Sequence, residues 1–202
     1  MKIAIIGAGN VGKALATSMQ RAGHDVVISA STPESAEKAA QELGVRSAQS
    51  NVQAVEDANV VVLAVPYHAT DEIVPQIAHV AGDRVIIDVT NPLTADYSGL
   101  ATDTSAAEEI QERLPAAKVV KAFNTLFASN QANPSADVDA FVAGDDPDAK
   151  QAVMSLADAM GLSPVDVGPL KSARYLEGMA FINIGLNARN GWNWTSAWKL
   201  ER

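Results

Sequence analysis

KIAIIGAGNVG, residues 2–12, is the stretch of sequence that decides the fold. Its first half, Lys2 to Ile6, is a short apolar run rich in isoleucine, which predicts a buried parallel strand. The glycines at 7, 9 and 12 then give the spacing G-x-G-x-x-G. A helical pattern of apolar residues follows from Asn10 to Arg21 and stops at Gly23. Because the motif lies between a strand and a helix, it predicts a dinucleotide-binding turn.

Each glycine of this turn has its own expected role. Gly7 permits a tight turn, Gly9 lets a pyrophosphate approach the backbone, and Gly12 lets the helix pack closely on the strand. Backbone N–H groups at the start of the helix would hold the phosphates, so Asn10 and Val11 join the predicted binding residues. A glycine turn that binds no ligand is the alternative interpretation.

A second phosphate-binding pattern overlaps the first. The residues from Gly7 to Lys13 also fit G-x-x-x-x-G-K, the loop of nucleotide triphosphatases. That loop requires Ser or Thr at the next position to hold magnesium, and this chain has Ala14 there. The mismatch disfavours triphosphatase chemistry, and we interpret Lys13 as a solvated surface charge.

Strand and helix patterns alternate along the rest of the chain. Further strands are predicted at 26–29, 60–65, 84–89, 118–122, 139–143 and 164–167, and further helices at 32–43, 71–80, 105–114, 147–160 and 174–189. This alternation predicts right-handed βαβ units on one sheet. We therefore expect a Rossmann-type, doubly wound, mostly parallel α/β fold. The 202 residues are expected to form one domain, with the sheet and its helices in 1–168 and a C-terminal helix and tryptophan-rich tail in 169–202.

The composition limits partners and sites. The net charge of −9 repels nucleic acid and anionic lipid, so neither partner is expected. No apolar run approaches the ~20 residues of a membrane span, and no signal peptide is evident. The absence of cysteine excludes disulfides and thiolate sites and fits a reducing cytoplasm. Asp145-Asp146 looks like a metal pair, but Pro147 follows directly, so we expect helix capping and no metal site.

The end of the second strand decides between NAD and NADP. An acid there binds the ribose 2′-hydroxyl and repels a 2′-phosphate. This chain has Ser29-Ala30-Ser31-Thr32 instead, so we expect NADP(H), with the hydroxyls of Ser29, Ser31 and Thr32 toward the phosphate. Glu34 follows nearby, and a plain helix cap by Thr32 is the alternative interpretation.

Several further motifs carry a resemblance to a known family. They are, in chain order, the glycine loop, Leu63-Ala64-Val65-Pro66, Asn91-Pro92-Leu93, Lys121-Ala122-Phe123-Asn124-Thr125, Ala143-Gly144-Asp145-Asp146, and Gly168-Pro169-Leu170 followed by Ala173-Arg174-Tyr175-Leu176-Glu177. Together they resemble the coenzyme F-420-dependent NADP oxidoreductase family, whose cofactor domain also occurs in STEAP metalloreductases. The resemblance implies a compact dimeric reductase that passes a hydride between NADP(H) and a deazaflavin. The family commonly has an arginine for the 2′-phosphate where this chain has Ser31.

Ligands bind at the carboxyl ends of the strands in such a sheet. By resemblance, the residues around the nicotinamide and its partner are Val65, Pro66, His68, Asn91, Pro92, Asn124 and Thr125. Local alternatives stand beside this interpretation. His68 fits an exposed loop, Asn91-Pro92 a simple turn, and Asn124 and Thr125 a capped strand end. Hydride transfer between two cofactors requires no dedicated acid or base, and we predict no catalytic side chain.

The sequence leaves alternatives open for the role of the C-terminal segment and for the identity of the electron partner. The last helix is apolar on more than one face, which predicts cover by a second copy in a homodimer. Trp192, Trp194 and Trp198 fall in the last eleven residues; such a cluster is typical of an interface or core anchor, and a wall for a flat ring is the alternative. FMN, FAD or another organic acceptor in place of F-420, and a non-catalytic NADP(H)-binding sensor, are the competing functions.

Overall fold

The computed structural model describes residues 1–201 and places eight strands in one sheet. The strands are β1 (Lys2–Ile6), β2 (Asp25–Ser29), β3 (Arg46–Ser47), β4 (Val60–Leu63), β5 (Val85–Asp88), β6 (Lys118–Ala122), β7 (Asp139–Gly144) and β8 (Ser163–Asp166). Their spatial order is β3-β2-β1-β4-β5-β6-β7-β8. All neighbours pair in parallel except β6 with β7, which is antiparallel. The order 3-2-1-4-5-6 is that of dinucleotide-binding sheets, so the predicted Rossmann-type fold is confirmed.

In the described part of the chain, eight α-helices connect or follow these strands. They are α1 (Asn10–Arg21), α2 (Pro33–Leu43), α3 (Asn51–Glu56), α4 (Thr70–Ala81), α5 (Ala106–Arg113), α6 (Ala128–Ala132), α7 (Pro147–Met160) and α8 (Ala173–Asn190). Four of them begin at a side chain that accepts a hydrogen bond from the backbone N–H three residues on, namely Thr32, Ser50, Ser105 and Asp146. Each such cap contributes about 1 kcal/mol. The Asp146 cap is the role expected from Pro147.

Two apolar layers hold the helices against the sheet. Successive strand residues point to opposite faces, so Ile3 and Ile5 pack with α1, α2 and α7, whereas Ala4 and Ile6 pack with α3, α4 and α5. Leu15 of α1 is fully buried in the first layer, which stabilises the fold by roughly 2 kcal/mol. This α/β/α packing leaves the carboxyl ends of the six parallel strands along one edge.

Three elements escaped prediction, and the reversal of β7 was not anticipated. β3, α3 and α6 have two, six and five residues, too few for a periodic pattern. Because β7 runs antiparallel to β6, the segment from Phe123 to Val138 turns back at the edge where the parallel strands end. An additional segment, residues 123–138, therefore lies at that edge of the sheet, where a repeated βαβ pattern would place only short loops.

The C-terminal helix α8 buries one face. The residues on that face are Ala173, Leu176, Glu177, Ala180, Asn183 and Asn187, at helical spacing. The opposite face leaves Tyr175 70% and Ile182 52% exposed. After α8 the tail returns to the sheet, where Asp139 donates its N–H to the Trp198 carbonyl at 3.1 Å. Within residues 1–201, no helix is both long enough and apolar enough to cross a membrane.

Candidate cofactor site

The glycine turn is built so tightly that two of its positions admit only glycine. Gly7 has φ +114°, and a Cβ there would lie 2.2 Å from the Ala64 carbonyl oxygen. A Cβ on Gly12 would lie 1.9 Å from the Gly7 carbonyl oxygen. Gly7 also donates its N–H to the Ser29 carbonyl at 3.0 Å, which joins the turn to β2. The turn is thus fixed between β4, β2 and the first turn of α1.

Gly9 has the opposite surroundings. Apart from its own neighbours in the chain, no atom of residues 1–201 lies within 4 Å of the position that its Cβ would take. Gly9 caps α1, and no side chain accepts the free N–H groups there. The first turn of a helix carries partial positive charge, and unpaired N–H groups bind anions. The open space at Gly9 and this uncapped helix start together fit a phosphate group.

A cavity of about 530 Å³ begins at this turn and extends along the strand ends. Five of the predicted binding residues line it, namely Gly7, Gly9, Ser31, Val65 and Pro66. The sequence analysis did not identify four polar residues of its lining, which are Ser35, Asn51, Glu72 and Gln76. Among the lining residues Glu72 is the only charged one, so no lysine or arginine side chain contributes to the wall.

Two of the hydroxyls predicted to face the 2′-phosphate have protein partners. Ser29 is fully buried and donates its Oγ to Asn51 Oδ1 at 2.8 Å. Thr32 accepts the Ser35 N–H at 3.2 Å as the cap of α2, which is the alternative interpretation of that residue. Ser31 is exposed and lines the cavity. The structure therefore brings only Ser31 of this group to the cavity wall, and contacts of Ser29 and Thr32 with the phosphate stay a prediction.

Four of the predicted residues outside the cavity lining are two single residues, His68 and Pro92, and a hydrogen-bonded pair, Asn91 and Asn124. His68 lies exposed in a short 3-10 turn, Tyr67–Ala69, and Pro92 is buried. Asn91 and Asn124 form a reciprocal pair at the ends of β5 and β6. Asn91 Nδ2 donates to the Asn124 carbonyl at 3.1 Å, and Asn124 Nδ2 donates to Asn91 Oδ1 at 2.9 Å.

Unpaired buried polar atoms lie next to this amide pair. Within residues 1–201, Asn124 Oδ1, Thr125 Oγ1 and Thr90 Oγ1 are buried without a hydrogen-bond partner. Phe123, just before Asn124, has φ +62°, which a bulky residue rarely adopts. Unpaired buried polar groups and strained backbone both cost free energy, and they concentrate at functional sites. The ends of β5 and β6 are thus a second part of the candidate site.

Under this second part lies a buried ionic cluster that the sequence analysis missed. Lys121 is fully buried in β6 and donates its Nζ to Asp88 Oδ2 at 2.8 Å, Glu177 Oε1 at 2.7 Å and the Thr90 carbonyl at 2.6 Å. The side chains of Asp88 and Glu177 are also fully buried. A lysine within an apolar strand is the signal that could have been read, because a buried ammonium requires an acidic partner.

Burial and mutual contact set the protonation of this cluster. Burial alone would lower the pKa of Lys121, but the facing carboxylates of Asp88 and Glu177 raise that pKa above its ordinary value. Burial raises the pKa of Glu177 to about 7, although contact with Lys121 acts in the opposite direction. Glu177 therefore changes its charge near neutral pH, while Lys121 keeps its positive charge.

Comparison with known proteins decides the family. Residues 2–92 match the family described as "NADP oxidoreductase coenzyme F420-dependent". The F420-dependent NADP reductase of Methanothermobacter thermautotrophicus is 34% identical, over 94% of this chain and 90% of that protein. This chain belongs to the F420-dependent NADP reductase family. The metalloreductase STEAP3 of Rattus norvegicus is 32% identical over 87% of this chain, which is 36% of that protein.

A solved structure extends this family membership to the whole fold. A candidate F420-dependent NADP reductase from Arthrobacter sp. FB24 superposes with a TM-score of 0.91 at 28% identity and covers 100% of both chains. The resemblance recognised from the sequence motifs is therefore confirmed.

The tail of this family member brings an aromatic pair to the segment after β6. Phe127 and Trp194 meet edge to face, with ring centroids 5.4 Å apart and planes at 89°. Ser129 Oγ donates to the Trp194 carbonyl at 2.6 Å, which fixes the tail on α6. Trp198 packs elsewhere, against Phe141 and Leu176. The three tryptophans thus do not form one cluster, and Trp194 is the one adjacent to the β6 end.

Proposed function

We propose that this chain transfers a hydride between NADP(H) and the deazaflavin coenzyme F-420. Its membership in the F420-dependent NADP reductase family supports this proposal. The single observation that carries it is the open, uncapped start of α1 at Gly9, which fits a dinucleotide phosphate. The two cofactors would supply the hydride chemistry when bound, and the protein contributes binding, orientation and exclusion of water.

The glycine turn would hold the pyrophosphate through backbone N–H groups. Gly9 leaves the space, and the N–H groups of Asn10 and Val11 begin α1 with no intrahelical partner. Gly7 and Gly12 would not contact the ligand through a side chain. Their role is to let the backbone of α1 pack closely on β1 and β4. This arrangement relies on dipoles at short range, so it tolerates the overall charge of −9.

The cavity supports NADP(H), with a preference set by hydroxyl groups. The two positions after β2, where an acid would repel a 2′-phosphate, are Ala30 and Ser31, and neither is acidic. Ser31 and Ser35 line that part of the wall and offer hydroxyls. A neutral hydroxyl bond is worth about half as much as a charge-assisted one. We therefore propose a modest preference for NADP over NAD.

The nicotinamide and the deazaflavin would meet beyond Val65 and Pro66, toward the ends of β5 and β6. The paired amides of Asn91 and Asn124 and the hydroxyl of Thr125 offer polar atoms there. Phe127 and Trp194 offer aromatic surface of the kind that stacks on a planar ring. No step of the transfer requires a side chain of this protein to gain or lose a proton.

We also propose that residues 1–202 act as one NADP-binding domain and work as a homodimer in the cytoplasm, without nucleic acid as a partner. Exposed apolar side chains on residues 169–202 support the dimer, since Tyr175, Ile182 and Trp192 are 70%, 52% and 46% exposed. Large apolar patches on one face are typical of protein interfaces.

The experiment that tests the function measures NADPH oxidation with F-420, FMN, FAD and no acceptor. We expect rapid turnover with F-420 alone, seen as loss of deazaflavin absorbance. Turnover only with flavins would contradict the assignment of the acceptor, and NADPH binding without turnover would favour a sensor. Gly9→Val serves as the matched variant, because it fills the proposed phosphate space and should abolish NADPH binding while the protein stays folded.

A further inference from the structure

The buried cluster around Lys121 joins four elements at one point. Lys121 belongs to β6, Asp88 ends β5, and Glu177 belongs to α8. Glu177 Oε1 accepts the Ala106 N–H at 3.0 Å as well as the lysine, which adds the first residue of α5. One ammonium group thus fixes β5, β6, α5 and α8 relative to one another.

The same cluster holds the backbone that leads to the amide pair. Asp88 Oδ1 accepts the Thr90 N–H at 2.8 Å, and Lys121 Nζ donates to the Thr90 carbonyl at 2.6 Å. Both backbone groups of Thr90 are therefore fixed, immediately before Asn91. Asn124 follows Lys121 by three residues on the neighbouring strand end and pairs with Asn91.

Stability alone does not explain such a cluster. Burial of charged groups costs several kcal/mol per ion, and well-packed apolar residues in their place are often neutral or stabilising. The cluster also leaves a polar atom unpaired, because one ammonium faces two carboxyl groups and Glu177 Oε2 has no partner within residues 1–201. What the charges provide and apolar side chains cannot is a directed bond to the Thr90 carbonyl.

We propose that Lys121 is a positioning residue for hydride transfer, which holds the turn at Thr90 so that Asn91 and Asn124 face the reacting rings in one fixed arrangement. This inference rests on the proposed function, since it assigns the ends of β5 and β6 to the ring-binding part of the site. Lys121 itself does not touch a cofactor. Asp88 and Glu177 orient its ammonium group by accepting hydrogen bonds from it, so they contribute to the same positioning role.

Lys121→Met tests the proposal, because it keeps a similar side-chain length and removes the three bonds. We expect the single-turnover rate from NADPH to F-420 to fall at least about tenfold, since small misplacement of reacting groups has large effects on rate. The dissociation constant for NADP⁺ should stay within about twofold, because the phosphates bind at the glycine turn. If Lys121→Met does not fold, the double variant Lys121→Met/Glu177→Gln takes its place in the same assays. The double variant removes one acidic group together with the lysine.

Val120→Ala is the matched control for lost stability. Val120 lies beside Lys121 on β6 and is fully buried, so its truncation weakens the same strand without touching Thr90. We expect Val120→Ala to lower the melting temperature and to keep the single-turnover rate. An equal loss of rate in Val120→Ala would show that Lys121 contributes stability only, and would overturn the proposal.

A second readout keeps the test independent of the acceptor. Proton–nitrogen spectra resolve the side-chain amides of Asn91 and Asn124, and Lys121→Met should shift both signals while those of Gly9 and Asn10 stay in place. Amide signals that are unchanged in Lys121→Met would refute the positioning role. If the wild-type protein reduces no acceptor, the proposed function fails, and these spectra still decide whether Lys121 positions the amide pair.

Discussion

Glu177 makes the stability of this protein depend on pH in a direction that the structure fixes. Burial raises its pKa from 4.5 to about 7, and the groups that face it are Lys121, Asp88 and the Ala106 N–H. The fold therefore favours the neutral carboxyl. For an acid whose folded pKa is raised, the stability is fully present below the unfolded pKa and is lost as the pH rises through the folded one. The window is thus about pH 4.5 to pH 7 and slightly above.

The size of the effect follows from the shift. One pKa unit corresponds to about 1.4 kcal/mol, so the change from 4.5 to about 7 corresponds to roughly 3 kcal/mol at high pH. Part of this loss is already present at pH 5.5, because the unfolded carboxyl is ionised there. Between pH 5.5 and pH 8.5 we expect the free energy of unfolding to fall by roughly 2 kcal/mol through Glu177 alone.

Glu177→Gln removes this dependence and keeps the shape of the side chain. The amide oxygen can still accept from Lys121 and Ala106, so the variant imitates the neutral carboxyl. The assay is urea unfolding followed by circular dichroism at pH 5.5, 6.5, 7.5 and 8.5, with Glu112→Gln on the exposed face of α5 as the matched control. The wild-type and Glu112→Gln curves should descend together, and the Glu177→Gln curve should be flatter by roughly 2 kcal/mol across the range. Parallel curves for all three proteins would refute the reasoning.

Three further predictions test the cofactor site and the proposed dimer. Gly12→Ala should lower the free energy of unfolding by at least about 2 kcal/mol in urea titration, because its Cβ would overlap the Gly7 carbonyl. Gly9→Val, whose Cβ would enter open space, should lower that free energy by no more than about 1 kcal/mol, the usual size of an N-cap change, and yet abolish NADPH binding in calorimetry. Ser31→Arg should raise the ratio of NADP⁺ to NAD⁺ affinity about tenfold through a charge-assisted bond, and an unchanged ratio would show that the 2′-phosphate lies elsewhere. Ile182→Glu should convert a dimer to monomers in sedimentation velocity, whereas a wild-type monomer would contradict the proposed assembly.

The parts of this molecule that sequence reasoning recovers are those determined by near neighbours. The glycine turn, its strand and its helix occupy residues 2–21 and are fixed by local sterics, so their positions follow from the motif alone. The cap at Thr32 is equally local, because Thr32 accepts a hydrogen bond from the Ser35 N–H only three residues on. The cap at Thr32 could be predicted from the sequence because it needs only the next helical turn.

The parts that sequence reasoning does not recover depend on groups distant in the chain. Lys121 meets a partner 33 residues earlier and another 56 residues later, and neither acid is marked by its local pattern. Asn51 is similar, because it reaches the cavity only through the short helix α3, which is held by contacts to α4 and β1. The hydrogen bond from Ser29 to Asn51 was missed together with that helix, because it depends on where α3 places Asn51.

The two parts of the candidate site, the glycine turn and the ends of β5 and β6, differ in the groups that they offer to a ligand. In the proposed function, phosphate binding at the glycine turn would use backbone groups, which cannot be displaced by a rotamer change and which carry no net charge into an acidic protein. The proposed alignment of the rings at the ends of β5 and β6 would need side-chain amides in one orientation, and amides on strand ends have no backbone hydrogen-bond ladder to fix them. The buried ammonium of Lys121 would supply that fixation through its bond to the Thr90 carbonyl, at a desolvation cost that phosphate binding alone would not require. These buried charges lie under Asn91 and Asn124 and not under Gly9, as expected if alignment of the rings is the geometrically more demanding part of the proposed function.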